Sequence, residues 1–469
     1  MAGTPAPESG LTAQPATQAK APRLTVMGTG CLAATHAVCM AVMGFEVLGV
    51  DTDLRKVESL NAGRVPFFEP GLAELLTRAL ESGRLRFTSD MAEAAEFGDV
   101  HFVCVGTPQQ HGSAAADLRH VDNAVRELAP HLTRRALVVG KSTVPVGTAA
   151  RLTGLLQRLA PAGSEVELAW NPEFLREGYA VEDTMRPDRL VFGVSSEWAE
   201  TRLRAVFAPV IDQGTPVVVA DLTTAELVKV AANSFLATKI SYINAMAEVC
   251  EATGGDVTRL AEALAYDDRI GGRFLRPGLG FGGGCLPKDI RAFAHRAEEL
   301  GVGQAVTFLH DVDAINKRRR TRTVDLVGDL ADGNLQGMRV LALGAAFKPD
   351  SDDVRDAPAL EVATALHRLG AHVTVVDPAA ITNARRTHPE LTYSTDALRA
   401  AAAGADVVVL LTEWDEFRHL DPHALGAVVT HRRIVDARHA LDPGTWCAAG
   451  WEYHAPGRPR MLGTTRLMK

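Results

Sequence analysis

Short, uninterrupted apolar runs that end in glycine, proline or a polar residue recur along the chain and fall into two groups. Residues 23–28 (R-L-T-V-M-G), 45–51 (F-E-V-L-G-V-D), 99–108 (D-V-H-F-V-C-V-G-T-P) and 136–145 (A-L-V-V-G-K-S-T-V-P) form the first. Residues 338–344 (M-R-V-L-A-L-G), 371–377 (A-H-V-T-V-V-D), 406–412 (D-V-V-V-L-L-T) and 432–438 (R-R-I-V-D-A-R) form the second. Continuous rather than alternating apolarity belongs to strands covered on both faces, the condition of parallel sheets sandwiched by helices. Helix-like segments separate the runs, one reaching Met43 and another starting near Ala357. Between the groups, residues 223–253 carry a helical pattern, opened by a capping box (Thr223, Glu226) and closed by Gly254-Gly255. About 30 helical residues span roughly 45 Å, the length of an element that joins domains or packs against another subunit. The pattern predicts an α/β chain of two doubly wound Rossmann-like domains joined by a long central helix. The first lobe falls at 23–222, a helical centre at 223–329 and the second lobe at 330–469.

The turns carry the candidate chemistry. The first apolar run leads into G-T-G-C-L-A, a helix, and a second run ending at Asp51, which is a dinucleotide fingerprint in its G-x-G-x-x-A form. Gly28 permits the tight turn, Gly30 admits a pyrophosphate to the helix N-terminus, and Ala33 keeps helix and strand close. Asp51 is placed to accept hydrogen bonds from an adenosine ribose, which favours NAD over NADP, although Arg55 tempers that preference. Thr107, Ser142 and Thr143 end buried runs and are either cofactor or water contacts or ordinary strand-end hydroxyls. Glu173 and Glu177, in N-P-E-F-L-R-E-G, either position water and cofactor or are solvated loop charges. Lys229 and Asn233 share one face of the long helix, a cation and an amide able to hold an oxyanion. In F-K-P-D-S-D-D-V-R-D-A-P (347–358), Lys348 and Arg355 either meet phosphates or belong to a solvated charge run.

Residues 274–289 read F-L-R-P-G-L-G-F-G-G-G-C-L-P-K-D. Five glycines (278, 280, 282, 283 and 284) remove side chains ahead of Cys285, which suits backbone lying close against a ligand. Lys288 and Asp289 follow within one helical turn, a setting for a nucleophilic sulfur, against the plainer reading of an inert thiol in a glycine turn.

Composition narrows the partners. The chain has 469 residues, 46% hydrophobic and 23% charged, enough for more than one core. A net charge of −8 argues against a nucleic-acid or anionic-membrane surface and leaves room for small anionic ligands in local basic pockets. The six cysteines (31, 39, 104, 250, 285 and 447) show no C-x-x-C spacing, so neither a metal site nor a disulfide framework is indicated and a reducing cytoplasm fits. Residues 1–22, rich in Ala, Pro, Thr and Gly and lacking an apolar core, read as a disordered tail.

Taken together, these motifs resemble the UDP-glucose/GDP-mannose dehydrogenase family over residues 23–443, in order and spacing. The resemblance adds E-P-G-L (69–72), K-S-T-V-P-V-G-T, the Lys229 and Asn233 pair, F-G-G-G-C-L-P-K-D and F-K-P-D-S-D-D-V-R. D-R-I-G (268–271) with C-L-P-K-D is most similar to the branch that oxidises UDP-glucose. What the resemblance implies is a four-electron oxidation of the C6 alcohol to a carboxylate, with two NAD used in succession, no metal, and a thiohemiacetal and thioester formed on Cys285. It further implies oxyanion stabilisation by Lys229 and Asn233, and proton or water handling by Asp289, Thr143 and Glu173. Lys288, Glu177 and Arg355, with Thr107 and Thr143, fall to the NAD side. The sugar nucleotide falls to Phe174, Leu175, Arg176, Glu177, Lys229, Asn233, Phe274, Leu275, Arg276, Pro277, Gly278 and Gly282, with Lys348 and Arg438 at its anionic part. Arg269 reaches a neighbouring subunit's site in a homodimer. The chain departs from the family pattern in G-T-G-C-L-A for G-x-G-Y-V-G, in Gly284 for Ser, and in Asp436-Ala437-Arg438-His439 for D-G-R-N. The same chemistry on GDP-mannose or a UDP-N-acetylhexosamine, or a nucleotide-sugar-binding protein without turnover, are the alternatives.

Overall fold

A computed structural model describes residues 21–396 and 398–459. The tail expectation for residues 1–20 lies outside this range, and Pro22 is already buried, so packing starts there. The first sheet contains β1 (Leu24–Met27), β2 (Val47–Val50), β3 (Leu85–Thr88), β4 (Val100–Val103), β5 (Ala136–Gly140), β6 (Val166–Trp170), β7 (Leu190–Gly193) and β8 (Val217–Ala220). The second contains β9 (Arg339–Leu343), β10 (His372–Val376), β11 (Thr392–Tyr393), β12 (Val407–Leu410), β13 (Arg433–Asp436) and β14 (Glu452–His454). Their orders are β3-β2-β1-β4-β5-β6-β7-β8 and β11-β10-β9-β12-β13-β14, so the first six strands of each lobe follow one doubly wound plan. All neighbours are parallel except β6 and β7, which meet antiparallel at Trp170 and Gly193.

The apolar runs are buried on both faces. Leu24 and Val26 of β1 enter one core while Met27 enters another on the opposite side of the sheet. The strands are shorter than the runs that predict them: β4 ends at Val103, after a last ladder bond from the Cys104 N–H to the Met27 carbonyl (2.9 Å), and the chain then continues toward Pro108 outside the sheet. β7 and β8 were not predicted. Each is a short four-residue run, and β8 lies half-exposed at the sheet edge.

The central helix runs from Leu222 to Thr253 and ends at Gly254, whose φ of 76° closes it. The predicted capping box is corrected. Asp221 caps the helix, its carboxylate accepting from the Thr224 N–H (2.9 Å) and hydroxyl (2.7 Å). Glu226 is buried and instead accepts the Gly147 (2.8 Å) and Ala149 (2.6 Å) N–H groups, capping a different helix (Thr148–Leu159) in the first lobe. After the glycine segment the helical centre forms a cysteine helix (Leu286–Glu299) and a return helix (Phe308–Asp329). In the return helix the basic run at 316–322 is internally neutralised: Arg318 meets Glu248 (3.1 Å), and Arg319 (3.5 Å) and Arg322 (3.0 Å) meet Glu251. Those acids sit on the central helix, so the basic run joins helices. Among the described residues no helix is long and apolar enough to cross a membrane.

Candidate active site

The first lobe offers a cradle at the carboxyl ends of its strands. Gly28 (φ 100°) donates its N–H to the Val50 carbonyl (2.8 Å), and a Cβ there would lie 3.0 Å from the Cys104 carbonyl oxygen, so only glycine makes this turn without strain. Gly30 precedes the helix Cys31–Val42 with no side chain capping it, and space is open where its Cβ would stand. Uncapped N–H groups at a helix start fit a pyrophosphate. One Asp51 carboxylate oxygen accepts both the N–H (2.9 Å) and hydroxyl (2.5 Å) of Thr29, while the other accepts only the Asp53 N–H (2.9 Å) and keeps a lone pair. Asp51 is half-buried, which leaves that lone pair accessible to a ribose hydroxyl. Ala33 is buried in the core, and Arg55 is exposed, 3.5 Å from Asp53.

A second group of residues surrounds Cys285. Cys285 caps the cysteine helix, and its carbonyl accepts the Asp289 N–H (3.0 Å). The two side chains following it in the same turn form a pair: the Lys288 ammonium donates to one Asp289 oxygen (2.5 Å) and the Asn233 amide to the other (2.7 Å). One turn before Asn233 on the central helix, Lys229 meets Glu173 at 3.2 Å, and the free Glu173 oxygen accepts the Leu175 N–H (2.7 Å). Burial acts to lower the Lys229 pKa, but nearby negative charge, Glu173 first and Asp289 with it, outweighs burial and holds the ammonium above its ordinary value. Burial pushes the Cys285 thiol up to about 12, with Glu173 and Asp289 adding to the shift and Lys229 and Lys288 opposing it. The resting sulfur is a thiol rather than the thiolate its cationic neighbours suggest. Thr107, Thr143, Lys288 and Asp289 line one pocket between the ends of β4 and β5 and the cysteine helix. The Thr107 hydroxyl donates to the Thr143 carbonyl (2.8 Å) and that of Ser142 to the Val105 carbonyl (2.7 Å), and each oxygen can still accept a hydrogen bond.

The second lobe closes the site from across the crevice. The Glu177 carboxylate accepts from the Ser351 hydroxyl (3.2 Å) and Arg355 (3.3 Å), and the Lys348 ammonium donates to the Glu177 carbonyl. Burial first, and Asp353 second, push Glu177 up to about 7 against the pull of Arg355 and Lys348. Arg355 is held by Asp353 (2.7 Å). Glu69, from E-P-G-L, fixes the same loop by accepting the Gly178 and Ala180 N–H groups (2.7 Å each) and the Cys31 thiol (3.6 Å).

The glycines before Cys285 make their close approaches to protein. A Cβ on Gly282 would overlap Asp356 and Pro358, on Gly283 the Phe347 ring, and on Gly284 the Arg355 guanidinium. The glycine segment is a seam between the helical centre and the second lobe. Arg438 supports it, donating to the carbonyls of Gly280 (3.0 Å), Leu411 (2.7 Å) and Phe347 (3.3 Å).

The other expected substrate residues differ in exposure and in partners. Arg269 is exposed and paired with Asp267 (2.7 Å), and Arg176 turns to Asp183 (2.6 Å). Phe274 (φ 64°) and Arg276 are exposed, whereas Leu275, Pro277 and Gly278 are buried. Phe174 lies between Arg189 (3.8 Å) and Lys229 (5.5 Å). Sequence reasoning passed over Lys141, buried and donating to Asn171 (2.8 Å), and the buried Asn244 and Asn316. Asn244 carried a signal, since three helical turns beyond Asn233 return to the same face.

Models of the UDP-glucose/GDP-mannose dehydrogenase family match this chain in three parts: the NAD binding domain at residues 22–211, the central domain at 223–318 and the UDP binding domain at 341–443. The UDP-glucose 6-dehydrogenase of Rhizobium meliloti is 39% identical over 93% of this chain and 100% of its own length. That of Bacillus subtilis is 37% identical over 94% of each. The structure of a UDP-glucose dehydrogenase from Pyrobaculum islandicum superposes with a TM-score of 0.86 at 37% identity, covering 95% of this chain and 100% of that one. A glycine turn and Asp51 suited to NAD, and a cysteine framed by lysines, carboxylates and an amide, thus sit on a chain that is matched along most of its length: it belongs to the UDP-glucose/GDP-mannose dehydrogenase family.

Proposed function

We propose that the chain oxidises UDP-glucose at C6 to UDP-glucuronate, in two hydride transfers to NAD with Cys285 holding the intermediate. The likeness to UDP-glucose 6-dehydrogenases at 37–39% identity supports the substrate. One observation carries the chemistry: Cys285 opens the helix whose first turn carries Lys288 and Asp289, with Asp289 bonded to Asn233 (2.7 Å) and Lys229 to Glu173 (3.2 Å) one turn away on the central helix, beside the pocket at the strand ends of the NAD lobe.

Gly28, Gly30 and Asp51 would hold NAD, which would supply the hydride acceptor for the alcohol and, after exchange, for the thiohemiacetal, each oxidation also releasing its hydroxyl proton to a nearby base. Cys285, a thiol at rest, adds through sulfur to the C6 aldehyde while its proton passes to the carbonyl oxygen or a nearby base. Lys229, kept cationic by its neighbours, and Asn233 stabilise the oxyanion. Loss of the second hydride leaves a thioester, water adds to its carbonyl, and the sulfur departs with a proton as the carboxylate forms. Glu173, Thr143 and Asp289 hold and deprotonate that water. Glu177, Lys288 and Arg355 border the cofactor. Phe174, Leu175, Arg176, Lys348, Arg438 and the 274–278 wall with Gly282 border the sugar nucleotide.

The active unit is proposed to be a cytoplasmic homodimer. Leu227, Phe235, Tyr242 and Val249 form an exposed stripe along the central helix, at the spacing of a face that packs another helix. The exposed Arg269, paired with Asp267, is then proposed to reach the second copy. The test is NADH formed per UDP-glucose consumed, with GDP-mannose and UDP-N-acetylglucosamine as comparison substrates. A ratio of two, with UDP-glucose preferred, is expected. A ratio of one refutes the double oxidation, and preference for another sugar refutes the substrate.

A further inference from the structure

We infer that two buried asparagines divide the positioning of the glycine segment, Asn244 setting the wall proposed for the sugar nucleotide and Asn316 setting the nucleophile. Asn244, on the central helix and fully buried, accepts the Gly278 N–H on its side-chain oxygen (2.9 Å). Asn316, on the return helix and equally buried, accepts the Phe281 N–H (2.8 Å) and donates to the Phe281 carbonyl (2.9 Å). Meeting a donor and an acceptor of one residue fixes the Asn316 amide in one orientation, as a strand neighbour would. Gly280 makes this possible: its φ is 94°, and a Cβ there would overlap the Asn316 side-chain oxygen. Arg320, one turn on, adds a bond to the same Phe281 carbonyl (3.1 Å) and a pair with Asp356 (3.1 Å). Phe281 therefore anchors the chain four residues before the sulfur, whereas the residue 274–278 wall hangs from a different helix at Gly278.

Neither asparagine touches the reacting atoms, so both are positioning residues acting through backbone. The inference rests on the function proposed above, and wild-type NADH formation from UDP-glucose is measured first. A silent wild type counts against that function. An active wild type whose variants show no division counts against this inference alone. Asn316→Ala frees Phe281 and shifts the sulfur, so kcat is expected to fall about 100-fold with KM for UDP-glucose within about threefold. Asn316→Asp keeps the acceptor, loses the donor, and is expected to fall between the two. Asn244→Ala is expected to raise KM for UDP-glucose about tenfold with kcat within about threefold. Alkylation of Cys285 by iodoacetamide, followed by peptide mass, changes rate in the Asn316 variants and not in Asn244→Ala. Circular dichroism establishes that each variant is folded, and Asn316→Asp carries the test where Asn316→Ala is not. Equal changes in kcat and KM for both sites, or an unchanged kcat in the Asn316 variants, overturn the inference.

Discussion

In the first lobe, the glycine after β1 donates its N–H to the carbonyl ending β2 (Gly28 to Val50, 2.8 Å). In the second, the glycine after β9 donates to the carbonyl ending β10 (Gly344 to Val376, 2.8 Å). An aspartate follows each second strand. Asp51 is half-buried with a lone pair to spare, whereas Asp377 is buried and saturated. One Asp377 oxygen accepts the N–H groups of Ala345 (2.7 Å), Ala346 (3.0 Å) and the Trp414 ring (3.1 Å), and the other accepts those of Ala379 (2.9 Å) and Ala380 (2.7 Å). A helix starts at once after the first glycine turn, at Cys31, but only at Pro358 after the second. The intervening loop crosses to Glu177 and the glycine seam. One strand plan therefore yields a dinucleotide cradle where the acid stays open, and a wall for the neighbouring site where it is closed.

Asp377→Ala breaks the comparison most severely. Five donors lose their acceptor, so denaturant unfolding is expected to show a loss of about 3–5 kcal/mol, with NAD affinity of the folded protein within about twofold of wild type. A matching loss of NAD affinity would mean that the second acid also serves the cofactor. Glu177→Gln tests the loop that replaces a helix in the second lobe. The folded protein holds the Glu177 proton up to about pH 7, whereas the unfolded chain releases it near 4.5. Stability from this group is therefore present below that window and falls as pH rises through it, by about 3 kcal/mol. The glutamine variant is expected to flatten Tm against pH between those values, and an unaltered profile would remove Glu177 from the account. Asp51→Ala gives the smallest effect, a roughly tenfold weaker NAD affinity, about 1.4 kcal/mol, by calorimetry. No change would deny Asp51 its ribose.

The two lobes were legible because continuous Val and Leu runs fix double-sided burial, and the NAD cradle because its glycines and Asp51 lie close together in the chain. What escaped depends on distant partners. Glu226 looks like a local cap until a helix from the first lobe ends against it. Glycines 282–284 read as room for a ligand, but the room is filled by residues 347–358. Asn316 stands in a basic run with no sequence signal for its role, which appears only when the return helix lies under Phe281. Of the residues around the sulfur, Lys288 and Asp289 were readable from their spacing, whereas the joining of Glu173 to Lys229 required the fold.

The most direct test is UDP-glucuronate release by Cys285→Ser, measured on protein that still binds NAD and UDP-glucose by calorimetry. The account predicts that release falls at least about 1,000-fold, with product held as an oxygen ester on the serine. Release at the wild-type rate would contradict it.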